Sequence, residues 1–437
     1  MNASTIELDA KKAKTKGLFW FRHDLRLHDQ RALNALCDKV DAITMVYVLD
    51  ETWLTPNQLG LVPLGKHRLQ FLHECLNDLR TSLHERGHEL IILKGDPVKQ
   101  ISTLLTEEHY SYLGVTHHGG FNEIKQLTEL KGLHPSLTFV RDESCSLFDE
   151  AELPFSLDDM PDVFSPFRRI VEKALTPRAP CATHFVLPAA LVPTVDKVMT
   201  YDIPPSVSAT QGEGDFTGGE TAALSHLHRY LFEWQSAATY KETRNALDNW
   251  RDSTKLSPWL ALGAISPKEV MRQVTLFEAT HVKNDSTYWI YFELLWREFF
   301  FWLQQKYGRQ WFQFTGIQGK APNTAHNSET FKKWCDGETG YPIVDACMRQ
   351  LAAAGYMSNR GRQLVASCLV HELGQDWRYG AAWFEHQLID YDVASNWGNW
   401  LYLAGVGSDP RGHRQFNLAK QTQTYDPDGE FCRRWLS

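Results

Sequence analysis

Residues 389 to 402, IDYDVASNWGNWLY, gather two carboxylates, two asparagines, two tryptophans and two tyrosines. An unpaired buried charge is costly and persists only with a partner. Asp390 and Asp392 among so much ring surface therefore imply a stretch that lines something polar. Three further clusters point the same way. DSTKLSPWLALGAISP (252–267) sets Ser253, Thr254 and Ser257 beside Lys255, just before a helix that can begin at Pro258. Such a helix start offers free N–H groups and a positive dipole to a phosphate or pyrophosphate. An ordinary serine N-cap would give the same pattern. In FELLWREFFFW, Glu293 and Arg297 stand four apart with Trp296 between them. An i, i+4 pair is usually a surface salt bridge, but these apolar neighbours exclude water, which favours a pocket wall. MSNRGRQ (357–363) places Asn359, Arg360 and Arg362 around a glycine at a helix entrance. Arg362 is expected to pair with Asp390 or Asp392.

These clusters need a scaffold, and the pattern divides the chain in two. The runs GLFWFR (17–22), AITMVYV (42–48), ELIILK (89–94), YLGVT (112–116) and LTFV (137–140) have the composition of buried strands. Between them, 66–87 repeats Leu and Phe at helical spacing and stops at Gly87. Alternating strand and helix predicts a doubly wound parallel sheet. Residues 141–216 dissolve into prolines and are expected to connect the domains. From about 220 helical periodicity dominates, and 286–308 is apolar almost all round, as a buried helix requires. The expected fold class is an α/β N-terminal domain followed by an all-α C-terminal domain. The boundaries expected are a tail at 1–16, the α/β domain at 17–140, the linker at 141–216 and the helical domain at 217–437.

Other chemistries find little support. No G-x-G-x-x-G follows a predicted strand. GLVPLGKH (60–67) fails as a phosphate loop, because His67 stands where Ser or Thr should be and Pro63 interrupts it. His117 and His118 lack further ligands at metal spacing, and the eight cysteines are scattered with no C-x-x-C, so no metal site is expected. The opening residues lack the apolar core of a secretory signal and the arginines of a transit peptide. With no run long enough to span a bilayer, a cytoplasmic protein of bacterial type with reduced thiols is expected. A net charge of −8 argues against a nucleic-acid coat, although a local basic groove binds phosphates even on an acidic protein. The 15 Trp, 15 Tyr and 23 Phe suit a planar ligand or a large core.

Taken in order, WFRHDLRLHD, TKLSPWLALG, LLWREFF, TGYPIVDACMRQL, SNRGRQ, DWR and DYDVASNWGNW resemble the photolyase and cryptochrome flavoprotein family, most closely its cryptochrome-DASH branch. The likeness runs from about residue 17 to the end. It implies an antenna-binding α/β domain and a helical domain holding FAD. It further implies that Tyr240, Ser253, Thr254, Lys255, Leu256, Ser257, Arg297, Arg362, Asp390, Tyr391, Asp392 and Asn396 contact the flavin or brace its contacts, with Asn396 facing flavin N5. The DNA-facing set carries over as Arg244, Glu293, Trp296, Asn359, Arg360, Gln363 and Tyr402. Gln363 and Tyr402 stand where dimer photolyases have methionine and tryptophan, which is the mark of this branch.

What the resemblance implies functionally is light-driven repair of cyclobutane pyrimidine dimers, preferentially in single-stranded or looped DNA, by electron transfer from excited reduced FAD. The chain would be a deoxyribodipyrimidine photo-lyase, monomeric and free of the membrane, with Glu293 on the substrate. The alternative is a blue-light photoreceptor with little or no repair. A methenyltetrahydrofolate antenna is implied between the domains, with Glu123 as its hydrogen-bonding carboxylate. Trp400 and Trp377 match the inner and middle members of the family's electron-carrying tryptophan chain. Thr324 stands in place of the outer one, with Trp334, Trp383 and Tyr379 as substitutes.

Overall fold

The computed structural model describes residues 14–183, 186–193, 198–204, 216–409 and 414–437. Most of the expected tail, and parts of the expected linker, lie outside the described residues. Five parallel strands, β1 (Lys16–Phe21), β2 (Ala42–Asp50), β3 (Leu90–Gly95), β4 (Tyr112–Thr116) and β5 (Thr138–Asp142), form a sheet in the order β3-β2-β1-β4-β5. Helices α1 (Arg31–Cys37), α2 (Lys66–His84), α3 (Pro97–Glu107) and α4 (Phe121–Leu133) connect them. The strands are nearly continuous apolar runs because both sheet faces are covered, as βαβ crossovers demand. The strand order reverses between β1 and β4, so the crevice beyond their carboxyl ends is where such a sheet receives ligands.

The proline-rich stretch is more structured than its composition suggests. Phe164, Phe167 and Val171 share one face and bury α5 (Phe164–Ala174) against the core. The two-residue β6 (Ala189–Ala190) pairs with the start of β2.

Twelve helices follow: α6 (Glu220–His228), α7 (Tyr240–Thr243), α8 (Ser257–Ala261), α9 (Pro267–Thr280), α10 (Asp285–Tyr307), α11 (Ser328–Asp336), α12 (Pro342–Ala354), α13 (Asn359–Ser367), α14 (Trp377–Gln387), α15 (Val393–Leu403), α16 (Leu418–Tyr425) and α17 (Glu430–Leu436). Among the described residues this half contains no strand. Its centre is α10, whose Leu295, Phe299, Phe301, Trp302 and Leu303 are all buried.

The two domains are clamped together by the first motif, WFRHDLRLHD. Arg26 is fully buried and donates to Gly263 O at 2.8 Å and Ser144 O at 2.6 Å, while Leu25 N donates to Leu262 O. Gly263 is required where these segments meet. Its φ is +63°, and an added Cβ would lie 2.1 Å from His23 O. The failed phosphate loop is a helix entry: α2 starts at Lys66, and Gly65 N donates to His386 O of α14 at 3.0 Å.

Candidate functional site

A cleft of roughly 790 Å³, part of it open to solvent, lies between α13, α14 and α15. Ser257, Asn359, Arg362, Gln363, Asp390, Tyr391, Asp392, Asn396 and Trp400 all line it. Residues far apart in sequence and marked by type alone thus share one wall. Arg362 Nη2 donates to Asp390 Oδ2 at 2.7 Å, choosing Asp390 over Asp392. The second oxygen, Asp390 Oδ1, is buried with no hydrogen-bond partner. A buried carboxylate oxygen left unpaired is expensive, so this one is an acceptor still available at the cleft. Asp392 instead caps α15, accepting from Ser395 N at 2.7 Å. Burial opposes its ionisation, but Arg297, the Ser395 N–H and His118 outweigh burial and hold the carboxyl below its ordinary value. Asn396 Nδ2 donates to Ala381 O at 3.0 Å. That bond fixes the amide and leaves Oδ1 as its acceptor at the cleft wall.

Several expected contacts lie outside the walls. Lys255 is buried with φ +53°, its Nζ 5.0 Å from the Tyr356 ring centroid, and Ser253, Thr254 and Leu256 adjoin it without reaching the cleft. Tyr240 is buried on α7, where burial pushes its phenol upward. Glu293 and Arg297 do not form the expected i, i+4 pair. Arg297 points to the domain interface, donating to Cys145 O at 2.6 Å, and Glu293 accepts from Arg244 Nη1 at 2.5 Å. The α10 surface is shared between two neighbours, and each charge follows the neighbour it faces.

Trp296 stacks on Phe164 at 3.7 Å and meets Tyr402 edge-on at 6.0 Å. Arg360 Nη2 donates to Asn245 Oδ1, with its guanidinium 4.7 Å over Tyr425. Sequence reading missed Tyr356, Phe384, Ser395 and Asn399, which also line the cleft, and Arg414, whose guanidinium lies 4.5 Å over Tyr402. Ser395 and Asn399 continue the Asn396 face at helical spacing, the signal that could have found them.

The tryptophans fall into two contact groups. Trp400 contacts Trp334 at 6.2 Å and Phe384 at 5.1 Å, whereas Trp377 contacts Trp397 at 5.7 Å. Trp334 therefore neighbours Trp400. Tyr379 stacks on His326 at 3.5 Å.

A second cavity, about 490 Å³, lies at the strand-order reversal between the domains. His23 follows β1, His118 follows β4 and Glu123 stands in the first turn of α4. His23 Nε2 and Glu123 Oε1 are 3.0 Å apart, and the two imidazoles stack at 4.4 Å. Their ligand atoms are close enough for a metal ion, but they already satisfy one another, and Gly120 N donates to His118 Nδ1. Burial opposes ionisation of Glu123, and His23, His118 and Arg22 outweigh it and hold the carboxylate anionic. Arg68 stacks over Tyr391 at 4.4 Å, and burial raises Glu385 to about 7 against the pull of Arg68. Tyr391 and Asp392 line both cavities.

Residues 17–184 match a family model described as DNA photolyase, and 289–437 match the FAD binding domain of DNA photolyase. The chain is 50% identical to a cryptochrome DASH of Idiomarina loihiensis, over 96% of this chain and 92% of the relative. This chain belongs to the photolyase and cryptochrome family, in its cryptochrome-DASH branch. A cryptochrome DASH of Vibrio parahaemolyticus is 46% identical, over 97% of this chain and 93% of the relative. The solved cryptochrome of Synechocystis sp. superposes with a TM-score of 0.91 at 38% identity, covering 98% of this chain and 89% of that one. A class III photolyase from Agrobacterium tumefaciens gives 0.82 at 28% identity, covering 98% and 88%. The family domain makes this an FAD-binding flavoprotein, and the cleft with its unpaired Asp390 oxygen and oriented Asn396 amide fits that group. No helix among the described residues is long and apolar enough to cross a membrane.

Proposed function

We propose that this protein repairs cyclobutane pyrimidine dimers under light, with preference for single-stranded or looped DNA. The observation that carries the reading is continuity: Asn359 and Gln363, expected to face DNA, line the same cleft as Asp390, Asn396 and Trp400, expected to face flavin. A base delivered there would lie against the cofactor. When bound and reduced, FAD supplies the light-driven electron that opens the cyclobutane ring and then regains it. Arg362 and Asp390 would hold the group, and Asn396 Oδ1 would accept a hydrogen bond from a reduced flavin without adding negative charge. Glu293, its carboxyl pushed upward by burial against the opposing Arg244, would donate a hydrogen bond to the pyrimidine edge when protonated. Trp296 and Tyr402, in edge-on contact with each other, would be the rings that meet the base. A tyrosine offers less stacking surface than a tryptophan, so flipping from an intact duplex is offset less than entry from a single strand.

Illuminating the reduced protein with dimer-containing oligonucleotides and measuring restored thymine tests this. Repair of the single strand ahead of the duplex is expected. Absence of repair on both leaves the blue-light photoreceptor reading. Glu293→Ala should keep its flavin and repair about tenfold or more slowly, since a hydrogen bond to a charged group contributes about 1.5–3 kcal/mol. Repair by Glu293→Ala at the parent rate would remove Glu293 from the substrate site.

The second cavity would take methenyltetrahydrofolate as an antenna, with Trp53, Phe312 and Tyr391 as apolar walls and anionic Glu123 accepting from the pterin. Glu123→Gln should weaken that binding roughly 10- to 150-fold, the equivalent of about 1.5–3 kcal/mol. Its spectrum should lack a near-ultraviolet band beyond that of flavin. Full retention of a parental folate band would exclude Glu123 as its acceptor.

A further inference from the structure

The Arg244–Glu293 ion pair ties α10 to the residue that follows α7 and is partly open to solvent. Glu293 sits mid-helix on α10, and Arg244 directly follows α7. Their side chains retain 19% and 31% exposure for Arg244 and Glu293 respectively, so DNA can reach both. Arg244 stands among like charges. Arg360 is close enough for the two guanidiniums to oppose each other, and Lys241 shares the Trp289 face with Arg244, the cations lying 5.1 Å and 5.6 Å from the ring centroid. Among the described residues Lys241 pairs with the exposed Asp285. One turn before Glu293, the buried Trp289 Nε1 has no hydrogen-bond partner, yet lies near enough to that carboxyl to favour its charged form. Tyr240 on α7 and Trp289 on α10 are the other polar groups facing the carboxyl.

We propose that Arg244 is a releasable counter-ion: on binding DNA it leaves Glu293 for a backbone phosphate, and Glu293 then takes one proton from solvent. This rests on the reading of Arg244 and Glu293 as the DNA-facing pair. A phosphate draws Arg244 because it carries full charge and accepts a bidentate guanidinium. The abandoned carboxylate is half-buried, and DNA covers it further. Burial already pushes its pKa upward, and the chief opposing influence, Arg244, is withdrawn. The protonated acid has the O–H that a pyrimidine carbonyl can accept, and Trp289 Nε1 is free to hold the other oxygen. The balance is one proton taken up per strand bound, with no electron moved. The free protein thus keeps its acid and its arginine paired until a strand arrives.

The sign follows from linkage. Glu293 has a higher pKa in the complex than in the free protein. Affinity therefore falls with rising pH between those two values, by up to about tenfold per pH unit, and is flat below and above them. Calorimetry of the flavin-loaded protein with a dimer-containing single-stranded oligonucleotide, in buffers of differing ionisation enthalpy across pH 5 to 9, measures the protons taken up. Uptake approaching one proton within that window is expected. Glu293→Gln, an isostere of the protonated acid, should bind with no proton uptake from this site and a pH-independent affinity. Arg244→Met should lose the uptake, because its Glu293 is protonated before DNA arrives. Its affinity should depend less steeply on salt, by about 0.7 in the log–log slope for one lost phosphate. Binding without proton uptake in the parent, uptake undiminished in Glu293→Gln, or an unchanged salt slope in Arg244→Met would each overturn the proposal. Failure of the parent to bind single-stranded DNA at all would instead overturn the DNA-facing reading beneath it.

Discussion

Asp390→Ala is expected to emerge from purification without flavin. The substitution strips Arg362 of its carboxylate partner, 2.7 Å away and almost wholly buried, and removes the unpaired Oδ1 at the cleft wall. Breaking a buried pair by removing one partner costs about 3–5 kcal/mol, which corresponds to roughly 100- to 5,000-fold in affinity. Asp390→Asn keeps the shape and one acceptor, so it should retain part of the flavin. Loss of the ligand also removes its contribution to the folded state, so Asp390→Ala should melt earlier than the parent, and by less when free FAD is supplied. Flavin occupancy by absorbance, together with melting in the presence and absence of added FAD, decides it. Full occupancy in Asp390→Ala would refute the role assigned to the pair.

That pair was legible because both partners are marked by type. Asp390 sits among rings, and Arg362 sits at a helix entrance beside a glycine. The strands were equally legible, since covering both sheet faces forces apolar runs. Helix α10 declared its burial because no face of it is polar. Contacts made between distant elements were not visible in the same way. Arg297 and Glu293 stand at a spacing that would pair them on an isolated helix, yet Arg297 serves Cys145 O and Glu293 serves Arg244, 49 residues away. Periodicity reports which face of a helix is buried but not which neighbour covers it. The second cavity shows the same limit. Glu123 could be found from its place after a strand. His23, Arg68 and Glu385 come from three other segments, and only docking of the domains brings them together. α5 was hidden for a different reason: the prolines of the stretch around it dominate the composition, although Phe164, Phe167 and Val171 keep a helical spacing.

Replacing Thr324 by tryptophan is expected to prolong light-induced charge separation markedly, while leaving repair by already reduced flavin unchanged. Electrons for a photoexcited, oxidised flavin must come from rings that communicate with the surface, and we propose Trp400, at the cleft wall, as the first of them. The loop carrying Thr324 is fastened to the residues just before Trp377: Ala325 N donates to Gly374 O at 3.0 Å and Asn327 N to Gln375 Oε1 at 2.9 Å. Thr324 is thus held beside the start of α14, but its hydroxyl, buried and unpartnered, has no accessible oxidised state to hold a hole. Trp377 itself is fully buried. Trp334, in contact with Trp400, is the natural rival, but it too is fully buried, and its next ring outward, Phe331 at 5.9 Å, does not oxidise readily. Beyond Phe331 lie the half-buried Tyr379 at 5.6 Å and Trp383 at 6.5 Å. A hole on either buried tryptophan therefore stays close to the electron it left and recombines. Photoreduction should persist, less efficiently than with an outer tryptophan present. Transient absorption with external reductant on the parent, Thr324→Trp, Trp377→Phe and Trp334→Phe measures this. A longer charge-separated lifetime in Thr324→Trp and a shorter one in Trp377→Phe are expected. If Thr324→Trp changes nothing while Trp334→Phe shortens the lifetime, the exit runs through Trp334 and on past Phe331 to Tyr379 or Trp383.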